Sequence, residues 1–148
     1  MKILRIAHVR IALGAVVGAY GLFSLVPITV NALYKAGAMP RPSAEAAQRV
    51  ALWEATPWWQ LGLSAAIVAL FLTIAWRLVR GRPALGLYVA ALFGNAVVWW
   101  VMHSAAAYQQ VFTPAEVQMD YDLVLGFAVA GASIWWLERR VAGGAAQA

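Results

Sequence analysis

The 148-residue chain contains no cysteine, and only 11% of its residues are charged. The absence of cysteine excludes disulfide frameworks, thiolate-ligated metal sites and thiol nucleophiles. A soluble domain is typically about a quarter charged and about half apolar, whereas 64% of this chain is hydrophobic. A soluble fold of this length has too little interior to bury so much apolar surface. The composition therefore predicts a membrane protein.

The net charge of +5 does not indicate a nucleic-acid-binding protein. Such a protein presents a basic face on a soluble body, whereas these basic residues lie in short clusters between apolar runs. The pattern therefore favours the lipid bilayer as partner and predicts no binding of nucleic acid.

Four apolar runs are candidate membrane spans, approximately at residues 9–31, 57–77, 84–104 and 121–138. A helix needs about 20 residues to cross a hydrocarbon core ~30 Å thick. The fourth run is short because Asp122 and Glu138 bound it, and it crosses only if Arg139 and Arg140 extend to the headgroups. The sequence thus predicts an all-α, four-transmembrane-helix bundle, one domain over residues 1–148 with outer loops at 32–56 and 105–120.

The charged residues predict the orientation of these spans, because Lys and Arg accumulate on the cytoplasmic side. One side would hold most of the cations, and the other would hold most of the acids. The cations on the first side are Lys2, Arg5, Arg10, Arg77, Arg80, Arg82, Arg139 and Arg140; the acids on the second are Glu45, Glu54, Glu116, Asp120 and Asp122. We therefore expect a multi-pass protein of a bacterial-type inner membrane with both termini in the cytoplasm.

Both outer loops carry helix-start signals. Ser43 can cap a short helix that has Glu45 in its first turn. Residues 113–116 (Thr-Pro-Ala-Glu) form a capping-box pattern with proline at the first helical position. We expect a short surface helix in each loop. The two signals, together with the similarity of residues 10–14 to 82–86, also raise the hypothesis of a duplicated helix pair.

Few polar residues interrupt the spans, and those that do are candidate functional residues because polarity in a membrane is costly. On the third span Asn95 shares a sector with Tyr88, Trp99 and His103, and on the first span Tyr20, Ser24 and Asn31 share a face. These residues would form either a polar seam or small cavity between the first and third spans, opening at the outer surface, or only hydrogen bonds between helices.

The acids of the outer loops are a second set of candidates: Glu54, Glu116, Asp120 and Asp122. His103 together with one of the last three could make a weak metal or proton site, but no metal-ligand spacing supports this, so no metal is predicted. A histidine hydrogen-bonded to the loop is the simpler interpretation. Glu54, near several tryptophans, could bind a cation or be a solvated loop residue.

Small residues at four-residue spacing predict where helices approach closely. They could pack within the bundle or against other membrane chains or a second copy. The positions are Gly14, Gly18, Gly86, Ala90, Gly94 and Gly126.

Residues 10–14 (Arg-Ile-Ala-Leu-Gly), followed by Gly21 and Leu22, resemble the opening of DoxX-like four-helix proteins. The resemblance covers about a dozen residues and is compatible with four spans. Ser24 stands where that pattern usually has a lysine, so the resemblance implies no function for this chain.

No constellation of nucleophile, base and acid occurs at a common depth, and no span contains a buried carboxylate. No catalytic residue and no cofactor is therefore predicted. The leading interpretation is a non-catalytic subunit or an accessory or assembly factor of a membrane complex. The alternatives are a small oligomeric transporter or channel, and a binder or enzyme for a lipophilic ligand, which requires an enclosed apolar pocket.

Overall fold

The computed structural model describes residues 2–40 and 44–145, and within these ranges the chain is helical without any strand. Four helices are long and two are short. In chain order they are α1 (Lys2–Lys35), α2 (Ala44–Ala55), α3 (Trp58–Val79), α4 (Leu85–Ser104), α5 (Ala106–Val111) and α6 (Pro114–Ala145). The expectation of an all-α chain is confirmed.

Three stretches of helix in the described chain are long and apolar enough to cross a membrane, namely Ile6–Lys35, Trp58–Val79 and Leu85–Ser104. They carry bulky apolar side chains on their outer surfaces: Phe23 is 77% exposed, Phe93 73% and Trp100 68%. Such surface is unfavourable in water and suited to lipid. These findings agree with the prediction of a membrane protein.

Glycines bring α1 against α3. A Cβ added to Gly14 would lie 3.0 Å from Cγ2 of Val79, and one added to Gly18 would lie 3.2 Å from Cβ of Ala75. The backbones can approach this closely only because neither position has a side chain. Residue numbers rise along α1 as they fall along α3, so the two helices are antiparallel.

Small residues also position α4. Gly94 lies against Ile67 of α3, where an added Cβ would be 3.1 Å from Cγ1. Gly131 of α6 lies against Tyr88 of α4, where an added Cβ would be 3.0 Å from the tyrosine ring. Gly86 and Gly126 have nothing within 4 Å of an added Cβ, and Ala90 is exposed, so these small residues are not used inside the described chain.

The helix α6 runs antiparallel to α4 along its whole length. At the start of α4, Oε1 of Glu138 accepts hydrogen bonds from the backbone N–H groups of Ala84 (2.6 Å) and Leu85 (2.8 Å). In the first turn of α4 the Tyr88 hydroxyl donates to the Phe127 carbonyl oxygen at 2.7 Å, and near the end of α4 the Trp99 ring lies 5.8 Å from that of Tyr121. Among the long helices of the described chain, α1 and α4 each contact α3 and α6, while α1 and α4 do not contact each other.

The two ends of the molecule differ in charge. The arginine-rich end holds Arg10, Arg77, Arg80, Arg82, Arg139 and Arg140, with Glu138 among them. The loop-helix end holds α2 and α5 and the acids Glu54, Glu116, Asp120 and Asp122. Three arginines at the first end lie over tryptophan rings, as expected for side chains that extend from an apolar surface towards headgroups; the pairs are Arg82–Trp76, Arg139–Trp135 and Arg140–Trp136.

The helix-start signals predicted in the two outer loops have different outcomes in the structure. Ser43 lies outside the described residues, as does the side chain of Glu45, although α2 begins at Ala44. The capping box forms: the Thr113 N–H donates to Glu116 Oε2 at 2.9 Å, and the Glu116 N–H donates to Thr113 Oγ1 at 3.3 Å. The box begins α6 itself and not a separate surface helix. The helix continues through Asp120 and Asp122 because acidic side chains do not interrupt its backbone hydrogen bonds. The short helix of this loop is α5, which precedes the box.

Candidate functional site

A cavity of about 420 Å³ lies at the loop-helix end, between α1, α3 and α4. We call it the loop-helix cavity. The helices α2 and α5 cover it from outside, through Leu52 and Trp53 of α2, Tyr108 of α5 and Phe112, which follows α5. Its volume falls within the ~300–1,000 Å³ that is usual for small-molecule sites.

The wall of the cavity is mainly apolar, with a small number of polar groups. The apolar part includes Ile28, Leu61, Ile67 and Val68, and the polar part comprises Tyr20, Ser24, Asn31, Thr56, Gln60, Ser64, Asn95 and Tyr108. No charged side chain belongs to the lining among the residues that the structure describes. This combination of an apolar wall with a few hydrogen-bonding groups is typical of sites for small, largely apolar ligands.

Two amides of the wall are deeply buried. Asn31 is 8% exposed and Gln60 is 6% exposed. Within the described part of the chain, Oδ1 of Asn31 has no hydrogen-bond donor. A buried acceptor left in this condition costs about 1–3 kcal/mol. Asn31 is therefore the residue whose hydrogen bonding an occupant of the cavity would complete.

An aromatic cluster of Tyr20, Phe71, Tyr88 and Phe127 closes the cavity towards the arginine-rich end. The Tyr20 ring lies 5.1 Å from Phe71 and 4.8 Å from Phe127, both edge to face. Phe71 and Tyr88 are each 1% exposed. The rings fill the centre of the molecule, so the cavity has a solid floor.

Polar contacts hold the covering helices in place. Arg49 Nη2 of α2 lies 3.0 Å from Glu116 Oε1 of α6, and its guanidinium also lies over the ring of Phe112, just after α5. Lys35 Nζ at the end of α1 donates to the Glu54 carbonyl oxygen at 2.7 Å. These contacts tie α2 to each of its neighbours, although pairs this exposed contribute little stability singly.

His103 belongs to a stack of rings beside the cavity. Its ring centroid lies 3.9 Å from that of Trp99 and 4.4 Å from that of Tyr108. Its Nε2 lies 3.5 Å from Asp120 Oδ2, and the Tyr108 hydroxyl donates to the same oxygen at 2.7 Å. The Nδ1 of His103 lies 3.0 Å from the Trp99 carbonyl oxygen one turn earlier, so the imidazole is held by its own helix as well as by its contact with Asp120. In the described chain no group of three or more His, Asp or Glu residues could hold a metal ion.

Two groups at this end have shifted acidities. Burial, aided by the adjacent Asp120 carboxylate, raises the pKa of Tyr108 well above its ordinary value, so its hydroxyl stays a donor. Hydrogen bonds from the backbone and side chain of Thr113, together with the Arg49 guanidinium, lower the pKa of Glu116. Both shifts favour the protonation states that the observed contacts require.

The structure brings together only part of the predicted polar set. Tyr20, Ser24, Asn31 and Asn95 line the cavity, and the Ser24 hydroxyl donates to the Tyr20 carbonyl oxygen at 2.8 Å. Trp99 and His103 lie in the adjacent ring stack, whereas Tyr88 belongs to the floor. The acids occupy separate contacts: Glu116 with Arg49, Asp120 with Tyr108, Asp122 with Gln118, and Glu54 through its carbonyl with Lys35.

Sequence reasoning missed the contribution of α3. Gln60 and Ser64 line the cavity because α3 lies between α1 and α4, which do not contact each other. The two residues are four apart, so they share one face of the second span, and this spacing was the available signal. Tyr108 was missed as well, because it lies on a loop helix without a distinctive pattern.

Comparison of the chain with protein-family models, with curated proteins and with solved structures finds no match.

Proposed function

We propose that the chain is a four-helix membrane bundle with both termini in the cytoplasm of a bacterial-type cell, and that α6 supplies the fourth span. The alignment of α6 with the whole of α4 supports this, because α4 is itself long and apolar enough to cross. The clustering of arginines at one end supports the orientation.

Single cysteines test this arrangement, because the chain has none of its own. Ala115→Cys at the loop-helix end and Gly143→Cys, beyond the last arginine of α6, both place the thiol at exposed positions. In intact spheroplasts a membrane-impermeant maleimide should label the first variant, and it should label the second only after permeabilisation. Labelling of both from the same side would contradict a fourth span.

We further propose that the loop-helix cavity binds a small, uncharged, amphipathic molecule that has at least one hydrogen-bond donor. The observation that carries this proposal is the buried Asn31 amide, whose Oδ1 accepts no hydrogen bond from the described residues and which stands in a mainly apolar wall. An uncharged ligand is favoured because burying a charge without a counter-charge is costly, and the described lining offers none. The solid aromatic floor favours binding over passage through a single chain.

Entry from the bilayer is the route that the packing favours. Residues 121–126 of α6 are all exposed, although a packed helix hides at least one face over six residues. This stretch of α6 therefore packs loosely, between the contact of Asp120 with Tyr108 and that of Phe127 with Tyr88. We propose that an amphipathic molecule dissolved in lipid reaches the cavity between the helices here.

Two probes of nearly equal shape test the proposal. The first, 2-naphthol, carries a hydroxyl donor, and 2-methylnaphthalene does not. Equilibrium dialysis would measure binding to the detergent-purified chain, with Ser64→Phe, which fills the cavity, as the reference for partition into detergent. We expect saturable binding of 2-naphthol at least about fivefold tighter than that of 2-methylnaphthalene, since a buried acceptor gains about 1–3 kcal/mol from a donor.

Ala65→Phe is the matched control, because it adds the same ring at the next position of α3, on the exposed face. It should bind 2-naphthol as the wild type does. Equal binding by wild type and Ser64→Phe would contradict the proposal.

A second candidate function is that of a non-catalytic subunit or assembly factor. The open small-residue positions Gly86, Ala90 and Gly126 favour it, because close helix contacts in membranes use such residues and these have none inside the described chain. Purification in a mild detergent tests it. A stoichiometric partner whose binding is lost in Gly126→Leu is expected, and a chain that always runs alone would count against it.

A further inference from the structure

A second concavity lies at the arginine-rich end, far from the loop-helix cavity. It is a groove of about 490 Å³ between α1, α6 and the turn that joins α3 to α4. Two guanidiniums, those of Arg10 and Arg139, line it beside the apolar side chains of Leu85, Trp135 and Val141. The groove therefore combines positive charge with an apolar surface.

Among the described residues of this lining the one acid, Glu138, already has backbone hydrogen-bond donors. Glu138 Oε1 accepts the N–H groups of Ala84 and Leu85 at 2.6 and 2.8 Å, where α4 begins. The positive end of the helix dipole adds to this compensation. An anion entering the groove would thus meet two arginines and a carboxylate whose charge is offset by backbone donors.

Both arginines keep donors for a ligand. Arg10 uses one nitrogen, Nη1, for a long bond of 3.3 Å to the Gly81 carbonyl oxygen. The Arg139 guanidinium lies 4.6 Å from the centre of the Trp135 ring, which orients it without using its N–H groups. Neither arginine forms an ion pair within the described part of the chain. A guanidinium has five N–H donors in a planar fork that suits phosphate oxygens.

The surroundings of the arginines favour a lipid over a free anion. Trp135 is 46% exposed and Val141 is 42% exposed, so apolar surface lies open directly beside the charges. Inorganic phosphate would leave this apolar surface uncovered, whereas the acyl chain of a lipid would cover it. Basic pockets between membrane helices bind anionic headgroups in this way.

We propose that this groove binds one anionic phospholipid of the adjacent leaflet, with its phosphate between Arg10 and Arg139 and an acyl chain against Trp135 and Val141. The proposal is independent of what the loop-helix cavity binds.

Native mass spectrometry of the chain, released from bilayers of equal parts phosphatidylglycerol and phosphatidylcholine, tests the proposal. The wild type should retain phosphatidylglycerol preferentially. Arg139→Gln should lower this preference about fivefold, and the double variant Arg10→Gln/Arg139→Gln about 25-fold. Arg140→Gln is the matched control, because Arg140 also lies over a tryptophan ring but outside the groove, and it should change the preference less than twofold.

Three results would overturn the proposal. Equal retention of the two lipids by the wild type would show that the groove is not a phospholipid site. An equal loss of the phosphatidylglycerol preference in Arg140→Gln and Arg139→Gln would show only an effect of diffuse surface charge. Displacement of the lipid by millimolar inorganic phosphate would show a free-anion site. Far-UV circular dichroism checks that each variant is folded. If the double variant is not, Arg139→Gln alone decides, since it leaves the Arg10–Gly81 contact in place.

Discussion

Removing the Glu138 carboxylate should loosen α6 from the start of α4. In Glu138→Ala the N–H groups of Ala84 and Leu85 both lose their side-chain acceptor. Hydrogen bonds to a charged group contribute about 1.5–3 kcal/mol each. Because Glu138 is half-buried and water can partly replace it, we expect a total loss of about 2–3 kcal/mol in the free energy of unfolding.

Circular dichroism during titration of a mild-detergent solution with sodium dodecyl sulfate measures this loss. Glu138→Gln is the control, because its amide oxygen can still accept, and it should lose about half as much. A Glu138→Ala chain within about 0.5 kcal/mol of the wild type would refute the reasoning, since surface changes without such contacts have effects of that size.

Gly14→Leu should lower the free energy of unfolding by about 1–3 kcal/mol, because the added side chain forces α1 away from α3. Gly126→Leu adds the same side chain in open space and should change this free energy by less than about 0.5 kcal/mol in the same dodecyl sulfate titration. Equal effects of the two substitutions would contradict the packing of α1 on α3. The lowered pKa of Glu116 stabilises the start of α6 above the ordinary pKa of 4.5, and this stability is lost as the pH falls through the lowered value. The protection factors of the amides at residues 113–117, that is, their exchange rates corrected for the intrinsic dependence on pH, should therefore fall in acid in the wild type but not in Glu116→Gln, and wild-type protection factors that do not change with pH would argue otherwise. The raised pKa of Tyr108 implies that its bond to Asp120 persists below pH 10 and is lost only as the pH rises beyond the raised value. Ultraviolet titration of tyrosinate should show a late component whose amplitude falls by one tyrosine in Tyr108→Phe, and an unchanged titration curve would contradict this.

The helices follow closely from the sequence, because uncharged runs and their flanking charges are local features. Each of the four apolar runs lies within a long helix to within one residue. The beginning of α6 was harder to predict, since residues 113–116 signal a helix start but not its length. Nothing in the polarity of Asp120 and Asp122 shows whether the helix continues through them.

The site was predicted only in part, for a physical reason. The cost of polarity in a membrane singles out Asn31 and Asn95 without knowledge of the fold. Periodicity gives the face on which a residue lies, but it does not give the neighbouring helix, so the part played by Gln60 could not be placed. The bond from Glu138 to the start of α4 joins residues 53 and 54 positions apart, and no local pattern predicts it.

The content of the loop-helix cavity is the most direct test of the proposed function. Wild type, Ser64→Phe and Ala65→Phe would be purified from native membranes in mild detergent, and their organic extracts compared by mass spectrometry. We expect an uncharged amphipathic molecule, close to one per chain, in the wild type and Ala65→Phe but not in Ser64→Phe. Identical extracts from all three folded chains would contradict a ligand in this cavity.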